Sequence, residues 1–144
     1  MSCPCGSAAP YAACCGALHA GGAAATAEAL MRSRYSAFAV GDPAYLLRSW
    51  HCSTRPKTLE LDPAQVWERL VIVESSGGLF DAEGTVEFRA MYRHRRVTQV
   101  LHERSSFTRE GGLWVYLGVA AALSHGGDSR PSSSWPAGLQ SPVR

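Results

Sequence analysis

Apolar residues first recur every three or four positions along this chain, and from about residue 70 they alternate. Ala27, Leu30, Met31, Tyr35 and Phe38 form a stripe at helical spacing. Thr26 can cap that helix, Glu28 suits its first turn, and Gly41 can end it. Glu28 and Arg32 lie four apart on the other side and can pair. Asp42-Pro43 supplies the cap and first residue of a second helix, with Ala44, Leu47 and Trp50 or His51 on its apolar side. A loop broken at Arg55-Pro56 follows. Asp62-Pro63-Ala64-Gln65 resembles a capping box, and Val66, Trp67 and Leu70 predict a third helix.

The period then changes to two. Leu70 to Val73 is a short predicted strand, and Ser75 to Gly84 is rich in turn formers. From Thr85 to Tyr92, Val86, Phe88, Ala90 and Tyr92 share one face. Arg93-His94-Arg95-Arg96 reads as a basic turn, Val97 to Thr108 as a strand, Glu110-Gly111-Gly112 as a hairpin turn, and Leu113 to Val119 as the last strand. Helices followed by an antiparallel sheet give an α+β fold, and a curved sheet wrapped on the first helix would enclose a pocket. Gly16 to Ala25 is a Gly/Ala-rich joint, and residues 125–144, rich in Pro and Ser, are expected to be a disordered tail.

Composition narrows the function classes. Hydrophobic residues at 46% suffice for a core, and the 18% of charged residues is too low for a disordered chain. A net charge of +2 gives no argument for nucleic acid, and the 93–96 turn lacks interleaved aromatics. Lys57 is the only lysine, so the basic side chains are nearly all arginine, suited to bidentate contacts. No apolar stretch has the length of a membrane span, and residues 1–25 lack the basic start and apolar core of a secretory signal, so a cytoplasmic protein is expected.

Four of the five cysteines fall at Cys3, Cys5, Cys14 and Cys15. Pro4 and Gly6 permit a sharp turn between the first pair, and the residues from Gly6 to Ala13 can carry the chain over an ion and back. The spacing is tighter than that of most structural zinc sites. A disulfide framework and a redox pair compete with metal. The odd cysteine count and reducing cytosol weigh against the first, and the absence of Cys-x-x-Cys against the second. His19 is a reserve ligand. Cys52 beside His51 is either a nucleophile or a lone thiol.

Inside the expected pocket, Leu101, Glu103, Ser105 and Phe107 share a face, which turns Glu103 inward. A buried carboxylate needs a partner or a raised pKa. Arg34 falls on the buried stripe of the first helix, so an Arg34–Glu103 ion pair is predicted, joined by Tyr35, His51 or Ser105. The group can serve as a site, with Glu103 as base or Arg34 as anion anchor, or as an architectural pair.

Cys3-Pro4-Cys5-Gly6-Ser7, Tyr11 and Cys14-Cys15-Gly16 resemble the SEC-C motif, named for the zinc-binding tail of the bacterial preprotein-translocating ATPase. The run Ala27 to Phe38, Trp50-His51, Trp67, Val86 to Ala90, His102 to Ser105 and Phe107 resembles the YchJ-like family of SEC-C proteins. Leu117 stands before Gly118 where that family usually carries an acid. The resemblance implies a zinc knuckle over 1–20 and, over 26–120, a cone of three helices on a curved antiparallel sheet, like nuclear transport factor 2. It implies no activity. The expected protein is a non-enzymatic adaptor with structural zinc on Cys3, Cys5, Cys14 and Cys15, docking a chaperone or the ribosome. Nucleic acid and membrane are not expected partners, and a homodimer through the sheet is admissible. The alternative is a small-molecule-binding protein or enzyme using the pocket of Arg34, Tyr35, His51, Glu103 and Ser105.

Overall fold

The computed structural model describes residues 1–125. Apart from His125, which ends the last strand, the tail expected over 125–144 lies outside the described residues. A 3-10 turn (Tyr11–Ala13) and helix α1 (Cys15–His19) follow the cysteine loop. Then come α2 (Ala27–Val40), α3 (Pro43–Arg48), and strands β1 (Gln65–Ser75), β2 (Glu83–His94), β3 (Val97–Glu110) and β4 (Leu113–His125). The sheet is a meander in the order β1-β2-β3-β4, antiparallel throughout.

The ends of α2 and the start of α3 follow from local chemistry. The Thr26 side chain accepts from the Ala29 N–H at 3.0 Å, and Gly41, at φ 80°, closes α2 in the left-handed conformation. Asp42 accepts from the Tyr45 N–H at 3.1 Å, with Pro43 in the first turn of α3.

The expected third helix is a strand. Asp62 makes only a turn, accepting from the Ala64 N–H at 2.8 Å on its side chain and from the Gln65 N–H at 3.1 Å on its carbonyl. The chain then pairs with β2 from Gln65↔His94 to Ser75↔Val86. Val66, Trp67, Val71, Ile72 and Val73 are β-branched or aromatic and favour a pleated surface. Register shifts between Trp67 and Arg69 and between Ile72 and Glu74 kept the apolar positions from alternating, which imitated helical spacing.

The other strand expectations agree in phase. Val86, Phe88, Ala90 and Tyr92 are buried on β2, and Leu101, Glu103, Ser105 and Phe107 on β3. The basic turn narrows to Arg95-Arg96, both at positive φ, and Gly111-Gly112 turns the next hairpin the same way. Strand β4 runs past Val119 to His125. Further register shifts between β3 and β4 bend the sheet, and α2 packs against β1, β2 and β4. Leu30, Met31, Tyr35 and Phe38 fill the interior with the inward residues of the strands. Trp67 closes one end against Tyr35, Phe38 and Tyr92, at centroid distances of 5.8, 5.6 and 5.0 Å. At the other end Trp50 bridges to Tyr116, extending the sheet by one parallel contact.

Candidate metal centre

Residues 2–10 fold back on themselves. The Cys3 N–H donates to the Ala9 carbonyl at 2.9 Å and the Gly6 N–H to the Cys3 carbonyl at 3.2 Å. Gly6 sits at φ 85°, a conformation that only glycine adopts without strain. The 3-10 turn then carries Cys14 and Cys15 back over the loop. Gly16 is required here, because a Cβ would lie 2.6 Å from the Tyr11 carbonyl oxygen.

Cys3, Cys5 and Cys15 are buried at 4%, 0% and 2% exposure, and Cys14 is half-buried. Their four Sγ atoms lie within 4.8 Å of one another. Cys5 and Cys14 are 3.7 Å apart, far beyond the S–S bond length of about 2.05 Å, and none of the five cysteines is in a disulfide. An ion about 2.3 Å from four tetrahedral sulfurs spaces them about 3.8 Å apart, so the donor set fits one thiophilic ion. Burial opposes ionisation of Cys3, but N–H groups of Cys5 and Cys15 and the Ser36 hydroxyl outweigh it and lower its pKa to about 6. Burial pushes the Cys15 thiol far up. At Cys14 the Ser7 hydroxyl, 3.1 Å away, favours the thiolate, but burial and the neighbouring thiols leave the pKa raised. A divalent cation would release the protons held on Cys14 and Cys15.

The knuckle is fastened to α2. Arg32 donates to the Cys5 carbonyl at 2.9 Å and to Glu28 at 3.0 Å, and Glu28 accepts from Ser75 at 3.0 Å. Cys3 Sγ lies 3.6 Å from Ser36 Oγ. The reserve ligand His19 has a different task. Its Nε2–H donates to the Ser33 carbonyl at 2.8 Å, which leaves Nδ1 to accept from the Tyr11 hydroxyl at 2.6 Å. Both ring nitrogens are therefore used in joining knuckle to helix. Arg48 adds bonds to the Leu18 and His19 carbonyls at 3.3 and 3.1 Å. Arg32, Ser33 and Ser36 were not singled out as docking residues. The one signal was the small side chain of Ser36, which lets the Cys3 sulfur come close to the helix.

The predicted Arg34–Glu103 ion pair does not form. Arg34, 1% exposed, donates to the Leu46 carbonyl at 2.8 Å and to Ser49 Oγ at 2.7 Å. Its guanidinium lies 5.0 Å from the Trp50 ring centroid and 4.5 Å from that of Tyr116. The carbonyl at the end of α3 and two aromatic faces serve where a carboxylate was expected. Burial lowers its pKa to about 10. Glu103 is fully buried, with Oε2 accepting from Ser105 at 3.2 Å and Oε1 without a partner among the described residues. Burial, against the smaller effect of Ser105, raises its pKa to about 8, so it is a neutral acid at pH 7. Tyr35 packs edge-on to Trp67, and burial raises its phenol pKa. His51 sits at the β3–β4 turn, with Nδ1 accepting from the Ser53 N–H and hydroxyl at 3.0 and 2.7 Å and Nε2 3.8 Å from Glu110. Of the five predicted pocket residues, a hydrogen bond joins only Glu103 and Ser105. Cys52 is exposed, and its N–H donates to Glu110 at 3.2 Å.

Residues 2–17 match the SEC-C motif, and residues 26–119 match the middle, nuclear-transport-factor-2-like domain of YchJ. The chain belongs to the YchJ-like family of SEC-C proteins. A UPF0225 protein of Streptomyces coelicolor is 55% identical over 116 residues, covering 79% of this chain and 90% of that one. One from Corynebacterium glutamicum is 48% identical, covering 79% and 92%. The solution structure of a SEC-C motif containing protein from Rhodopseudomonas palustris superposes with a TM-score of 0.74 at 34% identity, over 86% of this chain and 100% of that one. A crystal structure of a sec-c motif containing protein from Psychrobacter arcticus gives 0.66 at 26%, over 86% and 84%. In this YchJ-like frame the motif ends at Cys14-Cys15-Gly16-Ala17, and the domain begins at the Thr26 cap. His19 and Arg48 tie down the joint between them.

Proposed function

We propose that this YchJ-like protein is a non-enzymatic adaptor whose knuckle holds one structural zinc ion on Cys3, Cys5, Cys14 and Cys15. One observation carries the reading: four sulfurs within 4.8 Å of one another, three of them buried, in a loop pinned to α2. Four thiolates fill a tetrahedral zinc shell and leave no position for a substrate water, so the ion organises the surface around it. By likeness to the SEC-C tail of the translocating ATPase, the partner is a chaperone or the ribosome, met in the cytoplasm. No helix among the described residues is long and apolar enough to cross a membrane. The test pairs elemental analysis with ribosome co-sedimentation and chaperone pull-down, for the intact chain and a Cys14→Ser/Cys15→Ser variant. The intact chain is expected to carry one zinc and bind. The variant should lose both. No stoichiometric zinc in reduced, freshly purified protein overturns the reading.

One observation favours the second reading, a small-molecule-binding cone. Among the described residues Glu103 Oε1 is buried without a hydrogen-bond partner, where the architectural reading required Arg34 against it. A neutral carboxyl can both donate to and accept from a ligand. Native mass spectrometry of the purified chain, with Glu103→Ala as control, checks it. A bound molecule that the variant releases is the expected result, and identical bare masses oppose it.

A further inference from the structure

The loop between β1 and β2 is built to hold two apolar side chains in water. Phe80 is 95% exposed and Leu79 60%. The backbone beneath them is clamped. Arg109 donates to the Asp81 carbonyl at 2.7 Å, to Leu79 at 2.8 Å, to Gly112 at 3.0 Å and to Gly78 at 3.3 Å. Its guanidinium stacks 4.4 Å from the Trp114 ring centroid. The Gly78 N–H also donates to the Asp81 carboxylate at 2.8 Å. At the loop's base Gly84 packs against Gly77, with no room for a Cβ. Such a preset tip loses little entropy on docking, which is how exposed aromatic anchors act.

A cleft of about 370 Å³ lies beside it, lined by Gly22, Ala23, Leu30, Tyr45, Arg48 and Trp114 among others. Tip and cleft adjoin: Trp114 lines the cleft and carries Arg109, and the Gly77 carbonyl accepts from the Ala27 N–H at 3.0 Å. Charges around them differ in sign. Asp81 and Glu83 flank the tip and are exposed, with the Arg109 guanidinium turned beneath it onto the loop carbonyls, while Arg48 stands in the cleft wall.

We infer that this surface is a homodimer interface in which the Leu79-Phe80 tip of each copy fills the Gly22–Arg48–Trp114 cleft of a second copy of this chain. Two complementary features side by side are what a twofold axis needs, because the same rotation that seats one tip seats the other. The acidic flank disfavours the anionic surface of a bilayer and suits Arg48 across the axis. The cleft shares Ala23 and Ala24 with the pocket over Cys14 and Cys15, but seating the tip uses no zinc ligand, so the inference stands without the adaptor reading: sedimentation tests the one and elemental analysis the other.

Sedimentation equilibrium of the full, metal-loaded chain tests it. Wild type is expected at twice the chain mass. Phe80→Ser removes the tip and Ala23→Trp fills the cleft. Each should weaken association by at least about thirtyfold and sediment as a monomer with unchanged far-UV circular dichroism. An equal mixture of the two variants keeps one intact tip–cleft pair and should recover a heterodimer. A monomeric wild type overturns the inference, as does a dimer that survives both substitutions or a mixture that stays monomeric. Phe80-dependent binding of a monomeric wild type to phosphatidylcholine vesicles assigns the tip to a membrane instead and also overturns it.

Discussion

Glu103→Gln is the substitution whose effect the structure specifies best. The wild-type side chain is fully buried, accepts one hydrogen bond from Ser105, and has a pKa near 8 against an ordinary 4.5. Between those values the folded chain holds a proton that the unfolded chain has released. Stability therefore falls as pH rises through that window, and the loss is complete above about 8. The gap of 3.5 pH units between 4.5 and 8 corresponds to about 3–5 kcal/mol. Glutamine keeps the shape and the acceptor for Ser105 but does not ionise. Urea unfolding of both chains every half unit from pH 4.5 to 9 isolates the effect, because the cysteines and tyrosines titrate alike in both. The variant should match wild type within about 1 kcal/mol at pH 4.5 and exceed it by about 3–5 kcal/mol at pH 9. Parallel curves across this range would mean that Glu103 is ionised and stabilised in the fold, which refutes the unpaired-acid account.

Three further outcomes follow from named contacts. His19→Ala removes the link from Tyr11 to the Ser33 carbonyl and should cost about 1–3 kcal/mol in urea unfolding while elemental analysis finds the metal content unchanged; loss of metal would return His19 to the ligand set. Chelation at pH 7 should raise amide exchange over 2–19, with the β2–β3 amides still protected, since the cone has its own core; uniform exchange would show a single cooperative unit. Gly84→Ala sets a Cβ 2.4 Å from the Ser76 carbonyl oxygen, a backbone atom that cannot swing away, and should lower stability by about 2 kcal/mol or more; a thermal melt within a degree of wild type would refute the close packing.

What the sequence revealed, and what it hid, divides along one physical line. The phase of β2 and β3, both helix caps and the Gly111-Gly112 turn depend on neighbours within a few residues, and all were readable. The cysteine cluster was readable because its residues carry their own chemistry at close spacing. Strand β1 was misread because its two bulges come from pairing with β2, a contact some twenty residues away. The α2 stripe showed the side that meets the sheet, but Ser33 and Ser36 are buried too, because Tyr45 of α3 covers the first and Cys3 of the knuckle the second. Arg34 and Glu103 both turn inward as their positions required. The error lay in pairing them because each needed something. Leu46 and Ser49 lie nearer to Arg34 in the fold, while Glu103 meets its burial by keeping a proton. Periodicity thus tells which side chains leave water along α2, β2 and β3, though not along the short α3, where Tyr45 and Leu46 are buried and the expected Ala44 is exposed; and the partner of each is chosen by carbonyls and rings that carry no mark in the sequence. An orphaned polar atom such as Glu103 Oε1 is visible only after every such partner has been assigned, which makes it the best place in this chain to look for a function that sequence pattern cannot encode.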